Sequence, residues 1–145
     1  MASKVFLDAN IFLDAFLQRA EQNAALTILK LANAGTITAY TTPAIIHVVS
    51  YFLRKEFSNQ ELRLLLKSLL LDVQIIELDH ANTIHALNSD IEDVEDALQY
   101  YAALQHRVQV FLSRDKKLGA KGLPQLPVMG TKEYLEISGF QIGLL

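Results

Sequence analysis

The sequence predicts an α/β protein with a central parallel sheet of about five strands and helices covering both of its faces. Three observations carry this reading. Short β-branched or aromatic runs alternate along the chain with longer stretches of helical periodicity. Capping residues mark where those stretches begin, and glycines mark where several of them stop. At 145 residues, about half of them apolar, the chain is one domain long and can bury a substantial core, so residues 1–145 read as a single domain.

The elements follow in order. Residues 4–7 (KVFL) form a buried first strand that ends on Asp8. Residues 11–17 and 23–32 read as a helical pair broken near Arg19 to Gln22, with Gly35 as the stop. Residues 36–41 alternate as a second strand. Thr42-Pro43, a hydroxyl cap followed by proline at the first helical position, starts a helix that runs to Arg54 and carries His47. Ser58-Asn59-Gln60-Glu61 is a capping box for a helix reaching Leu71, whose dense leucines are expected in the core or at a dimer interface. A third strand spans residues 73–78, and Asp79 caps a helix over 81–87. The acidic helix from Asp90 to Leu104 leads into a fourth strand, 108–112, and then Ser113-Arg114-Asp115. Gly119, Gly122, Pro124 and Pro127 mark a loop around a fifth strand at 125–129, and residues 131–137 form a last helix. The tail QIGLL is apolar.

Composition narrows the chemistry. Without cysteine there is no disulfide, thiolate zinc site or cysteine nucleophile, so any metal must sit on oxygen or histidine ligands, which favours Mg2+ or Mn2+ over zinc. The longest apolar block, LLLKSLLL, is too short to cross a bilayer and is interrupted by Lys67. A soluble, cytoplasmic protein is expected, with no membrane partner. The formal charge of −3 offers no global attraction to nucleic acid, so a polyanion would need local basic groups or a metal.

The acidic helix is the informative stretch. Asp90, Glu92, Asp93, Glu95 and Asp96 place five acids in seven residues directly before an apolar helical pattern. At about 100° per residue, Val94, Ala97, Leu98, Tyr101, Leu104 and Val108 share a face, Glu92 and Glu95 point away, Asp96 borders the face and Asp93 lies inside its edge. Helix capping and the macrodipole account for Glu92 and Glu95. An acid turned inward needs a partner, and a bound cation would be one. In open parallel sheets ligands gather outside the carboxyl ends of the strands. Asp8 and Asp115 both follow strands and should emerge on that rim, joined by Asp93 and Asp96 if their helix begins there. Clustered carboxylates cannot all ionise without a counter-ion. Held together, they suit one or two divalent cations that activate water for in-line phosphodiester displacement. Arg114, Lys116, Lys117 and Lys121 flank Asp115 and could hold a phosphate backbone.

Three segments, VFLDANIFLDAF, EDALQYYAAL and FLSRD, resemble the acidic motifs of the PIN domain family in order and separation, and TTPAIIHVVSYFLRK fits the segment after that family's second strand. The likeness extends over nearly the whole chain and is strongest to the small prokaryotic members that include VapC-type toxins. It implies an α/β/α fold and a Mg2+- or Mn2+-dependent ribonuclease acting on RNA, with an antitoxin protein as a partner and a homodimer as the assembly. Carried over by position, Asp8, Asp96 and Asp115 are the catalytic, metal-binding acids; Asp93 matches no motif position and is expected as an outer ligand from its place in the acidic stretch. Asn10 and Ser113 match the family's hydrogen-bonding supports, while Arg114, Lys116 and Lys117 are expected at the RNA backbone on their placement beside Asp115 alone. His47 departs from the pattern, standing where many members have a glutamate. Imidazole suits manganese better than magnesium, so His47 supports a different metal, acts on water or phosphate, marks weakened activity, or is simply structural. The alternative function is therefore a catalytically weakened module that binds RNA or a protein partner. A phosphotransfer fold with Asp8 as nucleophile ranks last, because Asn10 replaces the second acid such folds require.

Overall fold

The computed structural model describes residues 2–143. Five strands, β1 (Ser3–Leu7), β2 (Ile37–Thr41), β3 (Val73–Ile75), β4 (Val110–Leu112) and β5 (Val128–Met129), form one sheet in the order β3-β2-β1-β4-β5. Every pairing is parallel. The helices are α1 (Ala9–Phe16), α2 (Gln22–Asn33), α3 (Pro43–Leu53), α4 (Asn59–Leu69), α5 (His80–Leu87), α6 (Val94–Gln105), α7 (Lys116–Ala120) and α8 (Thr131–Ile137). On one side α1 packs on α2 and α3, α4 on α3 and α8 on α2, while α5 packs on α6. Right-handed crossovers place these two groups on opposite faces of the sheet, giving the three-layer α/β/α architecture.

Strand burial explains why the opening run is continuously apolar. Because β1 lies at the centre and is covered on both faces, Val5, Phe6 and Leu7 are all fully buried. Phe6 pairs in register with Phe111 on β4, and the two rings stack with centroids 4.6 Å apart. Tyr100 of α6 closes over Phe111 at 5.6 Å. Its hydroxyl donates to the Leu126 carbonyl at 2.6 Å and accepts the Leu123 N–H at 2.7 Å. That one buried group ties α6 to the segment between α7 and β5.

Several expected boundaries shift, each for a local reason. β3 stops at Ile75 rather than 78, because its only neighbour, β2, ends at Thr41, whose carbonyl takes the last rung from the Ile76 N–H at 2.8 Å. β4 and β5 begin later than 108 and 125. The segment expected as loop after Asp115 contains the one-and-a-half-turn α7, stabilised by a cap rather than by propensity. The buried face of α6 is rotated from the expected one: Val94 is 57% exposed, whereas Ala97, Gln99, Tyr100, Ala102 and Ala103 are buried. Small residues are buried because α6 is enclosed between the sheet and α5, and the larger Leu98, Tyr101 and Leu104 fill its flanks. On this true inner face Asp96 lines up with Tyr100 and Ala103, so it faces inward rather than bordering the face. The leucine-rich stretch is only partly core: Leu62 and Leu69 are buried, but Leu64, Leu70 and Leu71 are exposed. The apolar tail runs into residues 144 and 145, which lie outside the described residues.

Candidate active site

The strand order reverses between β1 and β4: from β1 the chain winds outward through β2 and β3, then returns to the other side for β4 and β5. Such a reversal opens a crevice at the carboxyl ends of the two central strands. Asp8 immediately follows β1, and Ser113 to Asp115 immediately follow β4. Three helix starts meet at the same rim. Asp8 caps α1, Asp93 caps α6 and Asp115 caps α7.

Hydrogen bonds join the ends of β1 and β4. The Ser113 hydroxyl donates to Asp8 Oδ2 at 2.9 Å and accepts the Asp115 N–H at 3.1 Å. Asp8 Oδ1 accepts the Ala9 N–H at 2.8 Å. Asp115 Oδ1 takes the N–H groups of Lys117 at 2.9 Å and Leu118 at 3.2 Å. Asp93 Oδ1 accepts the Asp96 N–H at 2.9 Å, which leaves the Asp96 side chain free to reach inward.

The electrostatics separate the acids. Burial pushes Asp96 up to about 7, reinforced by a hydrogen bond shared with Asp115 and by the charges of Asp93, Asp115 and Asp8. Asp115 is lowered, first by that same hydrogen bond with Asp96 and then by the Leu118 N–H. Burial raises Asp8, against the opposing effect of the Ala9 N–H and Ser113. Among the described residues none of Asp8, Asp93, Asp96 or Asp115 is in an ion pair, because the ion pairs present involve Asp14, Glu21 and Asp90. The arrangement is an acid cluster in which Asp96, set between its acidic neighbours, is the member whose proton is held most firmly.

Other residues singled out in the sequence fall at varied distances from this cluster. A cavity of about 650 Å3 is lined by Asp93, Asp96, Asp115, Lys117 and Lys121 among others, so the first three acids share one concavity with two lysines. Lys121 pairs with Asp90 at 3.5 Å. Lys116 and Lys117 have no carboxylate partner among the described residues. Arg114, expected at the RNA backbone, instead turns away to Asp14 at 3.3 Å and Glu21 at 3.9 Å, because the buried Asp14 carboxylate demands a cation. Asn10 has a long contact, 3.5 Å, with Arg19 rather than with an acid. His47 is exposed on α3 and makes no side-chain hydrogen bond among the described residues. The sequence gives no separate weight to Gln99, which is 5% exposed and bonded to the Thr42 hydroxyl beside the cluster. Its spacing of three from Asp96 was the available signal, since residues three apart share a helix face.

The donor set fits a hard divalent cation: oxygen ligands only, excess negative charge and, among the described residues, no arginine or lysine ion-paired to these acids. Among the described residues, however, no three histidine, aspartate or glutamate side chains converge as a ready ligand shell. Asp8 and Asp115 are instead turned partly toward their own helices' N–H groups. Magnesium commonly takes only one or two protein carboxylates, completing its shell with water and substrate oxygens.

Fold and rim define a doubly wound α/β protein with a carboxylate cluster at its switch point. The model of the PIN domain family matches residues 4–117, and the chain belongs to that family. Among solved structures it is similar to VapBC2 from Rickettsia felis, crystallised bound to a DNA fragment from its promoter, with a TM-score of 0.64 and 16% identity over 86% of this chain and 96% of that one. It is also similar to PAE2754 from Pyrobaculum aerophilum, with a TM-score of 0.60 and 17% identity over 96% of this chain and 99% of that one. At these identities the likeness is one of fold. A search of curated proteins gives no match.

Proposed function

We propose that the protein is a Mg2+- or Mn2+-dependent endoribonuclease whose cation is held by Asp8, Asp96 and Asp115, with Asp93 in an outer position. The observation that carries this reading is the Asp96 carboxyl, half-buried in the cavity at the strand ends beside three other acids and raised to about 7 with no ion-pair partner among the described residues. A divalent ion bound there supplies charge neutralisation at the phosphodiester and a water of lowered pKa. The chain's own groups do the rest. Ser113 and the Ala9 N–H fix Asp8, and the Lys117 and Leu118 N–H groups fix Asp115, so both carboxylates are oriented before any ligand arrives. Asp96 would hold the ion as its carboxylate, so binding would weaken as pH falls below about 7. Lys116 and Lys117 draw the phosphate backbone to the cavity mouth. PIN domain proteins are in general nucleases, and single-stranded RNA is the substrate the motifs favour.

The same resemblance supports reading the chain as the toxin of a toxin–antitoxin pair that is cytoplasmic, homodimeric and inhibited by an antitoxin protein. Exposed Tyr51, Phe52, Leu64 and Leu71 offer apolar surface for such contacts. Among the described residues no helix is long and apolar enough to cross a membrane. One observation favours the weakened-module alternative. His47, at the position where many family members carry an acid, is exposed and unbonded, and adds no negative charge to the cluster.

The test is cleavage of end-labelled single-stranded RNA with Mn2+, Mg2+ or chelator, comparing the wild-type chain with Asp96→Asn. Cutting that requires either metal and disappears in the variant is the expected result. No cutting with either ion, or equal cutting by the variant, overturns the nuclease reading in favour of the binding module.

A further inference from the structure

A second cavity, of about 290 Å3, opens on the same rim, at the carboxyl ends of β2 and β3. Its walls come from four places: Thr42, Pro43 and Ala44 at the start of α3, Glu77 and Leu78 after β3, Thr83 of α5, and Leu98, Gln99 and Ala102 of α6. We propose that this cavity is the subsite that receives one unstacked nucleobase of the RNA strand next to the bond being cut. The proposal rests on the nuclease reading above for its substrate, but not for its geometry.

The cavity's position suits that role. Gln99 stands three residues after Asp96 on α6, so the two side chains are neighbours on one helix face, about 5–6 Å apart at Cβ. Thr42 follows β2, which flanks the β1 strand that carries Asp8. The acid cavity with its lysines lies on the β4 side of the cluster and this cavity on the β2 side. A strand held by Lys116 and Lys117 and crossing the acids would arrive here next.

Its chemistry suits a base. Gln99 is 5% exposed, and its amide nitrogen has no protein hydrogen-bond partner among the described residues and is not sealed in the interior. The reason lies in Thr42. Its oxygen accepts the Ile45 N–H as the helix cap at 3.3 Å, and its proton goes to Gln99 Oε1, which turns the Gln99 N–H2 toward the cavity. An amide held in one orientation at a cavity wall, with a donor left over by its protein partners, is available to a ligand's acceptor. Glu77, which also lines the cavity, adds acceptor oxygens there. Donor and acceptor across carbon-lined walls match the polar edge and apolar faces of a nucleobase, the form in which proteins read unstacked bases. The volume falls at the lower end of the roughly 300–1,000 Å3 of small-ligand pockets, room for one planar heterocycle and not for a folded nucleic acid.

The probes are the four ribonucleosides, which lack phosphate and so ignore the acid cluster, titrated into the metal-free, isotopically labelled full chain. At least one is expected to shift the Gln99 side-chain amide and the Thr42 and Ala44 backbone resonances while leaving Lys117 unmoved. Gln99→Leu removes the donor, and because that change also strips Thr42 of its partner, Ala44→Phe serves as the second variant, blocking the mouth from an exposed position. Both should weaken nucleoside binding by roughly tenfold or more. If no nucleoside moves the Gln99 amide, or if Ala44→Phe binds as wild type does, the proposal is overturned. The two readings fail separately. Nucleoside binding by a protein that cuts no RNA keeps the subsite and removes the nuclease, whereas cutting without any nucleoside shift does the reverse.

Discussion

Replacing Asp96 with asparagine should stabilise the metal-free protein, and only at high pH. Asp96 is lifted from 3.8 to about 7 in the folded chain. Between those values the folded state holds a proton the unfolded state has lost, so stability falls as pH rises through that window and is lowest above 7. The full shift sets a ceiling of about 4 kcal/mol. Asp96 is partly open to solvent, which screens the interaction, and the lowered Asp115 returns part of the loss, so about 1–2 kcal/mol is the expected cost at pH 8. An asparagine side chain at this position would keep the shape and offer Asp115 an N–H in place of the shared proton. For a chain of this size the variant should then melt about 3–6 °C above wild type at pH 8 in chelator, and within a degree or so of it at pH 4. Manganese should raise the wild-type melting temperature and leave the variant's almost unchanged. The assay is thermal unfolding followed by circular dichroism at both pH values, with and without metal. A variant no more stable than wild type at pH 8 would refute the claim that Asp96 is buried among like charges, and with it the case for a cation site.

The polar contacts around and beneath the rim lead to three more tests. Ser113→Ala removes the donor to Asp8 and the acceptor of the Asp115 N–H. It should cost about 1 kcal/mol of stability and weaken manganese affinity by roughly tenfold to a hundredfold in calorimetric titration. Tyr100→Phe strands the Leu126 carbonyl and the Leu123 N–H, so the urea midpoint should fall by an amount worth about 1–3 kcal/mol with the slope unchanged. Arg114→Ala leaves the buried Asp14 carboxylate without its nearest cation; the loss, about 1–3 kcal/mol at pH 8, should shrink as Asp14 protonates on acidification and be partly recovered by adding Asp14→Asn.

Much of the site is legible because its signals are local. Asp8 and Asp115 read as rim residues because each ends an apolar strand run, and Thr42-Pro43 and Ser58 to Glu61 announce helix starts that the structure reproduces to the residue. Where signals depend on neighbours distant in sequence, the reading slips. The buried face of α6 is set by α5 and the sheet together, which bury alanines and a glutamine and leave Val94 in solvent, contrary to a periodicity weighted by large side chains. Helix α7 rests on the two N–H groups that Asp115 accepts, and five residues that include a glycine carry no propensity signal by themselves. Gln99 looks like any polar residue on a helix until Thr42, distant in sequence, is found bonded to it.

By itself the sequence determined the parts: which stretches are strands and helices, where caps start them, and which acids end up next to strand ends. Those properties are settled within a few residues by side-chain period, backbone sterics and capping. Only the tertiary structure decided that β1 and β4 are neighbours at a reversal of strand order, that Ser113 joins them, and that Asp96 faces Asp115. Strand order is a property of how whole layers bury their faces, and no short window of residues contains it.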